Sequence, residues 1–229
     1  MHQNKQHWEK VFQTKTPEQV SWTETYPQTS VDCILSFGLK KSAPIIDVGG
    51  GDSLLVDALL KLGFSNLSVL DISAKALERA KKRLGPLAKK VEWIESDVLD
   101  FNPTTKYSLW HDRASFHFLT QKKDINTYST IVDQTSAQHL VIGTFSTSGP
   151  EKCSGLSISQ YDCNSLKLCF KDRYSQDECI EIDHQTNQHT QFVVSKDSFC
   201  KKDHVPKVGS SITSLNNIKG LHVFFQCLP

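Results

Sequence analysis

From residue 45 onward, short apolar runs alternate with amphipathic stretches in a fixed order. Ile45-Ile46-Asp47-Val48 is a compact apolar run, and Leu54, Leu55, Ala58, Leu59 and Leu62 then recur at helical spacing. Leu67-Ser68-Val69-Leu70-Asp71 reads as a second strand. A helix follows at Ala74 to Leu84, opened by Ser73 and amphipathic through Leu77, Ala80 and Leu84. Val91-Glu92-Trp93-Ile94-Glu95 alternates as a third strand, Tyr107 to Trp110 is a fourth, Asp124 to Thr135 a helix, and His139 to Phe145 a fifth strand. Strand and helix taking turns predicts an α/β fold with a doubly wound, mostly parallel sheet.

Beyond the fifth strand the pattern changes. Ser146 to Gly155 is a polar loop with Gly149-Pro150 as its turn signal, and a short helical stretch spans Tyr161 to Phe170. Two alternating runs, Arg173 to Asp183 and Thr190 to Phe199, predict a C-terminal antiparallel hairpin joined across residues 184–189. The division expected is a covering segment at 1–40, the main domain at 41–202 and a tail at 203–229 of unassigned role. Within that tail, Leu221 to Phe225 is a lone apolar run that suits an added edge strand or a flexible extension.

The first strand opens into Gly49-Gly50-Gly51-Asp52-Ser53, a backbone able to approach a ligand closely, with Ser53 able to cap the following helix. A dinucleotide fingerprint would need a third glycine where Leu54 stands, and Asp52 puts negative charge where a pyrophosphate would lie. A ligand with a cationic amino group and no phosphates suits Asp47 and Asp52 better, and S-adenosylmethionine is such a ligand. Asp71, about twenty residues past the glycines with Ile72 beside it, is placed to hold the ribose hydroxyls. Asp97, closing the third strand, can accept from an adenine amine while the Val98 amide donates to the ring.

Asp47 to Ser53, Asp71, Asp97 and Trp110-His111-Asp112-Arg113 together resemble the class I S-adenosylmethionine-dependent methyltransferases, over roughly residues 8–202. More narrowly, His7-Trp8-Glu9-Lys10-Val11-Phe12 with Ser21-Trp22 resembles small bacterial-type methyltransferases. It resembles more loosely the protein-lysine methyltransferases of a translation elongation factor. The chain departs from the lysine-modifying group at His111 to Leu119, which replaces an acid-lysine-glycine pattern. The resemblance implies a Rossmann-like, seven-stranded sheet edged by the hairpin, S-adenosylmethionine as cofactor, and a small-molecule or protein side chain as acceptor. A nicotinamide-dependent oxidoreductase and a non-catalytic adaptor of the same fold are the alternatives.

Composition narrows the partners. With 229 residues, 38% apolar content and a formal net charge of +1, the chain can bury one full core and carries no basic excess for a nucleic-acid backbone. Lys81-Lys82-Arg83 and similar clusters read as solvated helix ends. No run approaches the ~20 apolar residues of a membrane span, so a cytoplasmic protein is expected. The seven cysteines include no C-x-x-C pair and no apolar signal segment precedes them, so reduced thiols are expected. Cys179, His184, His189 and Cys200 match no familiar zinc spacing, and no metal is expected.

Methyl transfer to an amine or hydroxyl requires the acceptor to lose a proton. His111, Asp112 and His117, delivered by the fourth strand, are the candidates to take it. Each has a structural alternative: a backbone contact to the cofactor for His111, an ion pair with Arg113 for Asp112, core packing for His117. Upstream, Trp22 is expected at the site, Trp8 and Phe12 chiefly as helix packing, and Tyr26 as a weaker part of the same cover.

Overall fold

The computed structural model describes residues 2–20, 22–113, 115–184, 190–198 and 222–224. In chain order the elements are α1 (His2–Thr14), α2 (Gln28–Ser36), β1 (Ile45–Val48), α3 (Leu55–Lys61), β2 (Leu67–Asp71), α4 (Ala74–Leu84), β3 (Val91–Glu95) and β4 (Leu109–Arg113). They continue with α5 (Lys122–Thr135), β5 (His139–Phe145), β6 (Lys152–Cys153), β7 (Leu156–Ser157), α6 (Cys163–Phe170), β8 (Ser175–His184), β9 (Thr190–Ser198) and β10 (His222–Phe224). The main sheet runs β10-β8-β9-β5-β4-β1-β2-β3. β3, β2, β1, β4 and β5 are mutually parallel, while β9, β8 and β10 add antiparallel pairings.

The doubly wound sheet and its late hairpin follow the predicted pattern, but among the described residues the sheet has eight strands, not seven. Residues 222–224 of the predicted tail pair with Glu178, Cys179 and Ile180 of β8. An unpaired edge leaves backbone donors and acceptors open, and the apolar run near the end of the chain takes them up. Residues 199–221 and 225–229, with the rest of that tail, lie outside the described residues, as do Ser21, His189, Cys200 and Cys227.

Two cores lie on the two faces of the sheet. Ile45, Leu109 and Val141 pack with Val31, Ile34, Leu55, Leu59 and Leu77 from α2, α3 and α4. Ile46, Trp110 and Leu140 pack with Tyr128, Val132, Leu166 and Phe170 from α5 and α6. Burial on both faces is why β1 and β5 read as near-continuous apolar runs, while the partly exposed β3 alternates. Because successive strand side chains point to opposite faces, β4 sends Leu109, His111 and Arg113 one way and Trp110 and Asp112 the other.

Local signals set the helix ends. Ser73 Oγ accepts from the Ala76 amide at 3.3 Å to start α4, and Asp162 accepts from the Ser165 amide at 2.7 Å to start α6. Ser53 accepts from the Leu55 amide at 3.2 Å, one residue ahead of the α3 N-cap at Leu54. The expectation of reduced thiols is corrected at one place: Cys163 of α6 and Cys179 of β8 form a disulfide. Their separation of 16 in sequence gave no hint of it, because packing of α6 on β8 is what brings the Cα atoms to 5.9 Å. Cys153 and Cys169 are free thiols. Among the described residues, no helix is long and apolar enough to cross a membrane.

Candidate functional site

The C-terminal ends of the parallel strands open into one pocket, where an open α/β sheet offers a crevice to a ligand. Its floor is the turn after β1. Gly49 and Gly51 adopt φ of 66° and 46°, which side chains disfavour. A Cβ on Gly49 would lie 2.5 Å from Ser115 Cβ, one on Gly50 2.6 Å from Asp47 Oδ2, and one on Gly51 2.9 Å from Asp71 Oδ2. The three glycines therefore form a cradle whose room is created by missing side chains.

Two arginines of α4 brace that turn. Arg83 donates to the carbonyls of Asp52 at 2.7 Å and Ser53 at 2.8 Å while pairing with Asp57 at 2.8 Å. Arg79 reaches the Asp52 carboxylate at 3.4 Å and the Lys15 carbonyl at 2.6 Å. These contacts revise two expectations. Arg83 is a clamp on the glycine turn, not a solvated helix end, and the charge of Asp52 is partly offset by Arg79. The negative character of the pocket falls to Asp47 and Asp71.

Both carboxylates are buried and line the pocket. Burial pushes Asp71 up to about 7, against the pull of its hydrogen bond from the Ser73 amide and with the repulsion of Asp52 and Asp47 adding to it. Asp97 accepts from the Leu99 amide at 3.0 Å, capping a short 3-10 turn at Val98–Asp100. Ile72, Asp97 and Val98 all line the same pocket as Asp47, Gly49, Gly51, Asp71, His111 and Trp22. The nine residues predicted to hold the cofactor are thus gathered on one cavity wall.

The residues predicted to handle the proton separate. His111 lies opposite Asp47 across the β1–β4 pair, with Nδ1 2.7 Å from Asp47 Oδ1 and Nε2 2.9 Å from Ser30 Oγ. Asp112, on the other face of β4, does not reach the pocket. Its Oδ1 accepts from the Ser115 and Phe116 amides at 3.0 Å each, and its Oδ2 from the Tyr128 hydroxyl at 2.7 Å. Trp110 Nε1 in turn donates to the Tyr128 oxygen at 2.8 Å. Burial raises Asp112 to about 6 in spite of these donors.

The expected Asp112–Arg113 ion pair is absent because alternation sends the two to opposite faces. Arg113 pairs with Glu24 at 2.8 Å and donates to the Trp22 carbonyl at 3.3 Å. His117 is fully buried, its ring 4.4 Å from that of Phe118 and 4.7 Å from that of Phe145, and burial lowers it to about 3. It stands behind two aromatic rings that line the pocket and does not line it itself.

Over the cradle lies an aromatic roof. The Trp8 ring contacts those of Trp22 at 5.9 Å, Phe12 at 6.2 Å and Phe118 at 5.1 Å, and all four line the pocket. Trp8 and Phe12 therefore do more than pack α1. Tyr26 is 46% exposed and stands apart from the roof. Glu9 fixes α1 in place by accepting from the Ala74 amide at 2.7 Å, at the open N-terminus of α4. Sequence reading missed Glu9, Glu24, Ser30, Arg79, Ser115 and Cys153. Ser115 lies in the turn just after β4, while the other five reach the site through long-range packing.

Residues 45–134 match the family model described as a methyltransferase domain. The chain is 28% identical over 193 residues to malonyl-[acyl-carrier protein] O-methyltransferase 1 of Ilyobacter polytropus, covering 82% of this chain and 66% of that protein. It thus spans a little under two thirds of that curated relative. The fold is similar to that of Burkholderia thailandensis 1,6-didemethyltoxoflavin-N1-methyltransferase, solved with S-adenosylhomocysteine, at a TM-score of 0.64, 11% identity, and coverage of 87% of this chain and 85% of that one. The N-methyltransferase NodS of Bradyrhizobium japonicum WM9, also solved with S-adenosylhomocysteine, gives a TM-score of 0.61 at 14% identity, covering 78% and 90% of the two chains. At such identities the likeness is one of fold.

Proposed function

We propose, from the match of residues 45–134 to a methyltransferase domain model and the site built there, that this chain is a class I S-adenosylmethionine-dependent methyltransferase that transfers a methyl group to a small-molecule or protein side-chain acceptor. The observation that carries the reading is the convergence of Asp47, Asp71 and Asp97 on one pocket beside a glycine cradle. The cradle fits a ligand without phosphates. Asp47 Oδ2 is buried with no hydrogen-bond partner among the described residues, so a bound cation donor would satisfy it.

When bound, S-adenosylmethionine supplies a methyl group on a cationic sulfur that leaves as a neutral thioether. Asp71 would accept from the ribose hydroxyls, Asp97 with the Val98 amide would hold the adenine edge, and Asp47 would face the amino group. Trp22, Phe118 and Phe145 exclude water and hold the acceptor in line, so alignment supplies most of the rate. His111 is the predicted proton handler that lines the pocket, and both its ring nitrogens are engaged. Asp112 and His117 act through the turn at residues 115–118 and are positioning residues.

This arrangement favours an acceptor that is already nucleophilic, such as a carboxylate oxygen, over one that must first be deprotonated. The O-methyltransferase relative supports the same direction, with the oxygen presented on a small molecule or on a carrier protein. Calorimetry against S-adenosylmethionine, S-adenosylhomocysteine and NAD tests the cofactor. Binding of NAD alone would overturn the reading. Incubation with labelled methyl donor and a lysate, split into protein and small-molecule fractions, tests the acceptor.

A further inference from the structure

Ser30, His111 and Asp47 form a linear polar chain that the methyl-transfer chemistry leaves without a task. They come from three elements, α2, β4 and β1, and are buried to 4%, 2% and 5% exposure, yet all three line the pocket. The chemistry of the chain fixes its direction. A carboxylate only accepts, so His111 Nδ1 donates to Asp47 Oδ1. In the neutral imidazole Nε2 is then the acceptor, and the Ser30 hydroxyl donates to it.

Such a chain cannot serve an acceptor as a base without first releasing Ser30. What it does instead is hold one oxygen of Asp47, leaving the other, Oδ2, buried and without a partner among the described residues. A Cβ on Gly50 would fall 2.6 Å from that oxygen, so only glycine at this position leaves the oxygen room. An unpaired buried carboxylate oxygen costs more than a neutral one, and an ammonium group is the complement that removes the cost.

Resting on the S-adenosylmethionine reading, we propose that Ser30 and His111 are positioning residues that make this site selective for the amino group of the cofactor, acting through Asp47. The selectivity concerns the amino group, not the nucleoside. It is measurable as the ratio of dissociation constants for S-adenosylhomocysteine and its des-amino analogue, in which hydrogen replaces the amino group.

Isothermal titration of the full chain with both compounds is the test, on wild type, Ser30→Ala, His111→Leu and His111→Asn. The wild type should prefer S-adenosylhomocysteine by on the order of tenfold or more, the scale of one hydrogen bond to a charged group. Ser30→Ala should shrink that preference severalfold and His111→Leu should nearly abolish it, each by weakening S-adenosylhomocysteine more than the des-amino analogue. His111→Asn, whose amide can still donate to Asp47, should restore part of the preference.

Equal preference in wild type and variants would overturn the proposal, as would parallel loss of affinity for both compounds. Ser30→Ala removes one hydroxyl and keeps the test informative if His111→Leu fails to fold. Should the wild type bind neither compound, the cofactor reading itself falls. That outcome is distinct from wild-type binding that the substitutions leave unchanged.

Discussion

The two halves of the pocket are built on different plans. On the side of β1, β2 and β3, the wall is made of strand ends and turns, with Asp47, Asp71 and Asp97 each the polar punctuation of its own strand. On the side of β4 and β5, the wall is made of side chains that meet only through packing. Arg113 is held by Glu24 from the N-terminal segment, and Cys153 comes from the β6–β7 hairpin. The first half is suited to a constant ligand. On the proposed function the second could vary the acceptor while the first stays fixed, since loops on a rigid sheet carry specificity.

The largest expected effect strikes the seam between the halves. Gly49→Ala puts a methyl group 2.5 Å from Ser115 Cβ at a φ of 66°, so it strains the cradle and pushes the acceptor-side turn together. A stability loss of about 2–3 kcal/mol and loss of S-adenosylhomocysteine binding should appear in chemical denaturation and calorimetry. Survival of binding would mean that the halves are not in contact as described.

Asp112→Ala should separate them. It strands the Tyr128 hydroxyl and two backbone amides, costing about 2–3 kcal/mol in urea unfolding, while cofactor affinity stays within about threefold and methyl transfer falls sharply. A matching fall in cofactor affinity would make the division of labour wrong.

Asp71 gives the cofactor half a pH signature. On the proposed function an ionised Asp71 would accept hydrogen bonds from the ribose hydroxyls, so affinity for S-adenosylhomocysteine should drop as pH falls below about 7, approaching tenfold per pH unit. Stability of the ligand-free protein has the opposite sign at this residue. The raised carboxyl favours folding below its unfolded value, and that contribution is lost as pH rises through about 7. Asp71→Asn should flatten both trends when each is followed from pH 5 to 8.5.

The smallest effect concerns the roof. Trp22→Leu should weaken S-adenosylmethionine more than S-adenosylhomocysteine, by about 0.5–1 kcal/mol, because the former alone carries a cationic sulfur for the ring face. Equal weakening would make Trp22 a packing residue only.

The sequence carried the first half almost whole because its signals are local. A strand's apolar run, the acid that ends it and the helix that follows lie within a dozen residues, and each was placed on the pocket. The second half depends on which face of β4 a residue occupies and on what packs there from afar. His111, Asp112 and His117 therefore read as one proton-handling group, yet the structure distributes them among the pocket wall, a buried aromatic network and a fully buried packing site. Arg79 and Arg83 were invisible for a related reason. A cationic run on a helix looks solvated until the turn it clamps is known. The eighth strand and the disulfide belong to the same class, since both arise from pairing with β8 and not from their own neighbours in sequence.

Alternation along β4 also sets a rule for anyone rebuilding this protein. Replacement of a single residue on that strand changes one contact, but gain or loss of one residue would exchange inside for outside at every position after it. A histidine would be driven among aromatic rings and an aspartate out to the ligand. Transplants of acceptor loops should therefore begin after Arg113 and preserve odd and even parity upstream, leaving the length of the strand untouched.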